Sequence, residues 1–152
     1  MTNEAFIRIF PMACAWVTQQ EALILDKGIP LNEDQQIDAY LAGVKEITKV
    51  RLWYADQAPS PMLPELKAAA ERTGLLSSAT LGTCFRYGIY LRSDQRHNRS
   101  LLVHELVHTM QYERLGGIEP FLEQYLKESV TAGYPFGALE MEAQETERRL
   151  CS

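Results

Sequence analysis

Residues His104-Glu105-Leu106-Val107-His108 place two of the chain's three histidines four positions apart, with a glutamate directly after the first. On an α-helix, positions i and i+4 project from one face a turn apart, so both imidazoles can grip a single metal ion. Glu105, one residue past the first ligand, can then reach a metal-bound water without touching the metal. From the chain's own composition this H-E-x-x-H pattern arises by chance only about half a percent of the time. The competing reading makes His104 and His108 core residues satisfied by hydrogen bonds, with Glu105 paired to a nearby arginine. Against it, Leu101, Leu102, Val103, Leu106 and Val107 make the helix apolar nearly all round, and burying three ionisable groups there without an ion is costly.

A catalytic zinc site normally takes three protein ligands and a water, so a third donor must come from elsewhere. His97 lies in the polar run from Asp94 to Arg99 and reads as an exposed loop residue. Cys84 and Cys151 have suitable donor atoms, but thiolates are commoner in closed structural sites. A C-terminal helix from about Ala138 to Leu150 offers Glu140, Glu142, Glu145 and Glu147. Leu139, Ala143, Thr146 and Leu150 share one apolar face, and measured from Leu139 Glu142 lies about 60° off, Glu147 about 80°, Glu140 about 100° and Glu145 about 120°. Glu142 is thus the expected ligand, backed by the small Ala143. Glu140 and Glu147 read as a solvated face, and Glu145 as a residue that could orient a ligand imidazole.

The elements that must position these groups can be read on either side. Helical spacing runs from about Ala13 to Lys27 through Trp16, Val17, Leu23 and Ile24, and Gly28 and Pro30 stop it. Asn32 looks like the N-cap of a helix turning Ile37, Tyr40, Leu41 and Val44 inward. Residues 50–54 suggest a strand, and Pro64 to Arg72 a helix ended by Gly74. Cys84 to Arg92 alternates as one strand with Phe85, Tyr87, Ile89 and Leu91 on its buried face. Asn98 or Asp94 can cap the central helix, Leu101 to Leu115, which Gly116-Gly117 ends. Pro120 opens a further helix that Gly133-Tyr134-Pro135 terminates. This predicts one α+β domain over residues 1–152, mostly helical, with a small sheet whose edge strand precedes the active-site helix.

The arrangement resembles the gluzincins, metallopeptidases that pair a helical H-E-x-x-H with a glutamate on a later helix, often followed by alanine as in Leu139-Glu140-Met141-Glu142-Ala143. The resemblance covers about residues 84 to 146 and includes a cleft-lining strand before the active helix. It implies a zincin-like fold, zinc on His104, His108 and Glu142, Glu105 as general base, and hydrolysis of peptide bonds in a peptide or protein substrate. The chain departs from the clan in having Thr146 four residues after Glu142, where an Asp would orient the ligand histidines. Oxyanion stabilisation needs a further donor, for which Tyr134, Tyr112 and Arg86 are candidates, Tyr134 being carried forward. The alternative function is a catalytically silent, metal-stabilised binding or adaptor domain of the same fold.

Charge and composition narrow the class. Residues 1–100 carry 11 acidic and 11 basic side chains, whereas residues 101–152 carry 9 and 4. All the excess acid therefore lies beside the motif, and no basic stripe suggests a nucleic-acid partner. Three cysteines without a C-x-x-C pair argue against a disulfide framework. Ile9 to Val17 with Ala13-Cys14-Ala15 mimics a leader, but Glu4, Arg8 and Pro11 break the pattern. A cytoplasmic setting is expected, with secretion left open. No apolar run is long enough to span a bilayer. So short a chain also leaves room for a protein partner that completes a shallow cleft.

Overall fold

A computed structural model describes residues 2–73 and 76–152. Among these residues, six α-helices and four strands follow one another as α1 (Asn3–Lys27), β1 (Ile29–Pro30), α2 (Glu33–Leu41), β2 (Arg51–Ala55), α3 (Pro64–Arg72), β3 (Gly82–Phe85), β4 (Gly88–Arg92), α4 (Arg99–Leu115), α5 (Ile118–Ala132) and α6 (Ala138–Cys151). The architecture is α+β and mostly helical. The sheet runs β1-β2-β4-β3, with β2 and β4 parallel and the two outer pairs antiparallel. No described helix is long and apolar enough to cross a membrane.

Local sequence accounts for most boundaries. Thr2 caps α1 by accepting from the Ala5 N–H, and the helix runs through Pro11, well upstream of the expected start at Ala13. The apolar stretch after Arg8 is core, with Ile9, Cys14 and Val17 buried, whereas Leu23 is exposed. Asn32 and Gln35 form a reciprocal capping box on α2. Asn98 caps α4, and Gly116, at φ 104°, adopts the left-handed conformation that ends it. The helix stop read at Gly74 lies outside the described residues.

Two expectations are corrected. First, α2 turns Ala39 and Asp38 inward, while Ile37, Tyr40 and Leu41 are exposed. The cause is electrostatic, because Asp38 takes a bidentate pair from Arg99 at the start of α4. Val44 is buried as expected. Second, the alternating segment from Cys84 to Arg92 is a hairpin rather than one strand, broken at Arg86, whose φ is 64°. The strand immediately before α4 is therefore β4, an interior strand with four of its five residues buried, and its hairpin partner β3 lies at one edge of the sheet.

The hairpin turn is held from both sides. From α1, the buried Glu21 carboxylate accepts two N–H groups of Arg86 and the backbone N–H of Tyr87. From α4, Thr109 donates its hydroxyl to the Arg86 carbonyl at 2.6 Å. These contacts lock β3 against the helix that carries the motif, on which Val103, Leu106 and Val107 are fully buried. Removing the guanidinium would leave a buried carboxylate without its partner. Arg86→Met is expected to lower the unfolding free energy by about 2–3 kcal/mol, below the value for a fully buried pair because Arg86 is partly exposed. Urea denaturation checks this, and an unchanged midpoint would contradict the locking role.

Candidate metal centre

The first turn of α6 brings a carboxylate to the two imidazoles, and it belongs to Glu140. Its Oε2 lies 2.9 Å from His104 Nε2, and its Oε1 lies 2.9 Å from His108 Nε2. One donor atom from each of the three residues lies within 4.8 Å of the others. Tetrahedral zinc with donors at about 2.0–2.2 Å needs them roughly 3–4 Å apart, so this set can share one ion. Glu140 is buried, as are His108 and Glu105, and His104 is nearly so. The position near the N-terminus of α6 also favours a carboxylate.

Glu142, the expected ligand, faces the other way. Arg114 donates two N–H groups to it at 2.8 Å, and Gln111 donates a third at 2.7 Å. The error has a geometric source. The buried residues of α6 are Leu139, Glu140, Ala143 and Thr146, so the inward face is centred about 40° from Leu139, near Ala143, on the side of Glu140 and Glu147. That offset puts Glu142 about 100° from the centre. Leu139 is buried but lies off the centre of the stripe.

Further residues that the sequence reading passed over orient the imidazoles. Gln111 spends its amide NH₂ on Leu139 O and Glu142, which leaves its Oε1 to accept from His108 Nδ1–H at 2.7 Å. With Nδ1–H given to Gln111, a neutral His108 would carry its lone pair on Nε2, the nitrogen that a metal would take; without an ion, Nε2–H donates to Glu140. A chain thus runs from Arg114 through Glu142 and Gln111 to His108. For His104 the corresponding partner is Glu147, at 3.3 Å from Nδ1. Glu145, considered for that role, pairs instead with Arg148 at the surface. The signals were spacing: Gln111 stands three residues after His108, and Glu147 two helical turns after Glu140. Tyr125 of α5 adds a hydroxyl that donates to Glu140 Oε1 at 2.6 Å.

Titration follows the same geometry. Burial pulls the His104 imidazole down, but the Glu140 hydrogen bond and the charges of Glu105, Glu140 and Glu147 outweigh it and push its pKa up to about 9. Burial likewise opposes ionisation of Glu140, yet the two imidazoles hold its carboxyl well below the usual range. Burial raises Glu105, partly offset by the neighbouring imidazoles. The Glu105 carboxylate makes no ion pair among the described residues and lines a cavity together with both histidines. Tyr134 lines that cavity too, half exposed, its hydroxyl pushed up to about 12 by desolvation and by Glu140 and Glu105.

The other candidates lie elsewhere. Tyr112 is packing: it is buried, stacks on Phe121 and donates to Cys84 O. Arg86 is committed to Glu21. His97 is exposed, ahead of α4. Cys84 is buried on β3, and Cys151 ends α6. No protein-family model, no curated protein and no solved structure matches the chain.

The geometry separates two carboxylates that the sequence placed side by side. In titrations with Zn²⁺, the wild type and Glu142→Ala are expected to bind one equivalent, Glu140→Ala to lose stoichiometric binding, and Gln111→Ala to weaken it by about 10–100-fold. Retention in Glu140→Ala with loss in Glu142→Ala would overturn the ligand set.

Proposed function

We propose that the protein is a zinc-dependent metallopeptidase of zincin-like fold, hydrolysing peptide bonds in a peptide or protein substrate. The observation that carries the reading is the convergence of His104, His108 and Glu140 on one point, with Glu105 beside them at the cavity wall. Zinc held by two neutral imidazoles and one carboxylate supplies Lewis acidity, polarising a water and a substrate carbonyl.

The chain's own groups divide the remaining work. Gln111 and Glu147 hold the imidazoles in orientation. Glu105 takes a proton from the attacking water, and its desolvated carboxylate has the raised proton affinity that a general base needs near neutral pH. As water oxygen bonds to the carbonyl carbon and the C–N bond breaks, Glu105 returns that proton to the leaving amine. Tyr134 keeps its hydroxyl proton at neutral pH and supplies a donor at the same cavity for charge on the tetrahedral oxygen. The free edge of β3, which also lines the cavity, offers backbone groups to an extended substrate.

The rival reading, a silent metal-stabilised binding or adaptor domain, needs the three ligands but has no use for an unpaired buried carboxylate next to them. Burying such a group is costly, and a base poised for proton transfer gives it a purpose. Glu105→Gln keeps the shape and all three ligands. It is expected to retain one zinc per chain while peptide hydrolysis, followed with a fluorogenic peptide mixture, falls by about 10²–10⁴-fold. Equal turnover by both proteins would remove Glu105 from the mechanism, and zinc binding with no turnover by the wild type would favour the adaptor.

A further inference from the structure

The cluster borders a cavity of about 150 Å³. Its charged lining is the cluster itself, namely His104, Glu105, His108 and Glu140. Much of the remainder is apolar and comes from elements that carry no motif. These are Ile9, Phe10 and Trp16 of α1, Leu66 and Ala69 of α3, and Phe85 of β3. Ile9, Leu66 and Ala69 are themselves buried as a small second core cluster, so this wall is preformed. Protein interiors are otherwise close-packed, and the apolar end of this cavity, away from the cluster, has the size at which an apolar site takes up a benzene-sized molecule.

Two further observations point to an occupant that enters from the metal side. The exposed residues of the lining are Val130 at the end of α5 and Tyr134 in the connection to α6, next to Glu140. Thr83 on the edge strand β3 also lines the cavity. Its Oγ1 is the one buried side-chain polar atom without a hydrogen-bond partner among the described residues. An unsatisfied buried hydroxyl calls for a partner, which a peptide backbone passing along β3 would provide.

We infer that the cavity is a specificity pocket for one aromatic or branched aliphatic side chain, of phenylalanine or leucine size, in a residue adjacent to the bond at the metal cluster. The inference rests on the peptidase reading for what is cleaved, though not for the binding of the apolar group. The α1 and α3 walls have no counter-charge to offer an ionic side chain, and polar side chains would lose their hydration there. Ala69 sets the available space, because a longer side chain at that position would project into it.

Toluene is the probe of the pocket alone, titrated into metal-free and zinc-loaded protein and followed by thermal melting and by the methyl resonances of Ile9 and Leu66. The wild type is expected to show a rise in melting temperature with saturable shifts of those methyls. Ala69→Leu should weaken toluene binding at least about tenfold, whereas Leu66→Ala, which enlarges the space, should keep it and admit naphthalene as well. In a peptide library digested by zinc-loaded protein, Phe or Leu beside the cleaved bond should exceed Ser or Asp at least about tenfold in kcat/KM. Absence of toluene binding in the wild type, or binding unchanged in Ala69→Leu, would overturn the pocket. Toluene binding lost in Ala69→Leu with no peptide cleaved would uphold the pocket and refute the peptidase. Cleavage without apolar preference would do the reverse.

Discussion

The buried Glu140 carboxylate bridges two imidazoles, with Glu105 buried beside them and Glu147 at the rim, and a carboxylate moved out of water stays ionised only where positive charge meets it. Glu105, Glu140 and Glu147 are each close enough to His104 to raise its affinity for a proton. In the metal-free chain an imidazolium supplies the compensating charge. A divalent cation at the same point would take over that role while needing both imidazoles neutral, so metal and protons compete for one site. The surrounding protein is built around this concentration of charge. Val103, Leu106 and Val107 anchor the helix that carries the imidazoles in the core, and Gln111 and Glu147 aim the rings.

The acidity of the last third of the chain acquires a physical account from these contacts. Glu113 accepts from the Lys45 and Glu46 backbone N–H groups and from the Tyr87 hydroxyl, tying the end of α4 to the segment before β2. Glu128 caps α6 by accepting from the Leu139 N–H. Gly137 permits that contact, since a Cβ there would lie 2.8 Å from the Glu128 Cβ. The cap fixes the start of α6 two residues ahead of Glu140, and so positions the carboxylate that the cluster needs. The neutral first hundred residues serve differently: α1 and α3 furnish apolar walls beside the cluster, and Glu21 clamps the hairpin that carries its edge strand.

Features with a local cause were legible in the sequence. The caps at Asn32 and Asn98, the stop at Gly116 and the two histidines one turn apart depend on residues within a few positions of one another. Features decided by tertiary partners were not. The phase of α6 hinged on whether Leu139 or Ala143 marked the middle of its buried face, and an offset of about 40° exchanged Glu140 for Glu142. The ladder of Phe85, Tyr87, Ile89 and Leu91 fits a strand, but Glu21 and Thr109 fold it back at Arg86. On α2, the pair between Asp38 and Arg99 outweighed the pull of Ile37 and Tyr40 toward the core. In the last two cases a polar contact from a distant segment overrode hydrophobic periodicity.

The central claim is that two imidazoles and a carboxylate bind one metal ion, and zinc K-edge X-ray absorption of the zinc-loaded protein tests it at the atoms concerned. The account requires two imidazole nitrogens at about 2.0–2.1 Å, with oxygen donors completing the shell and no sulfur. A zinc–sulfur distance near 2.3 Å, or a shell with fewer than two imidazoles, would contradict it.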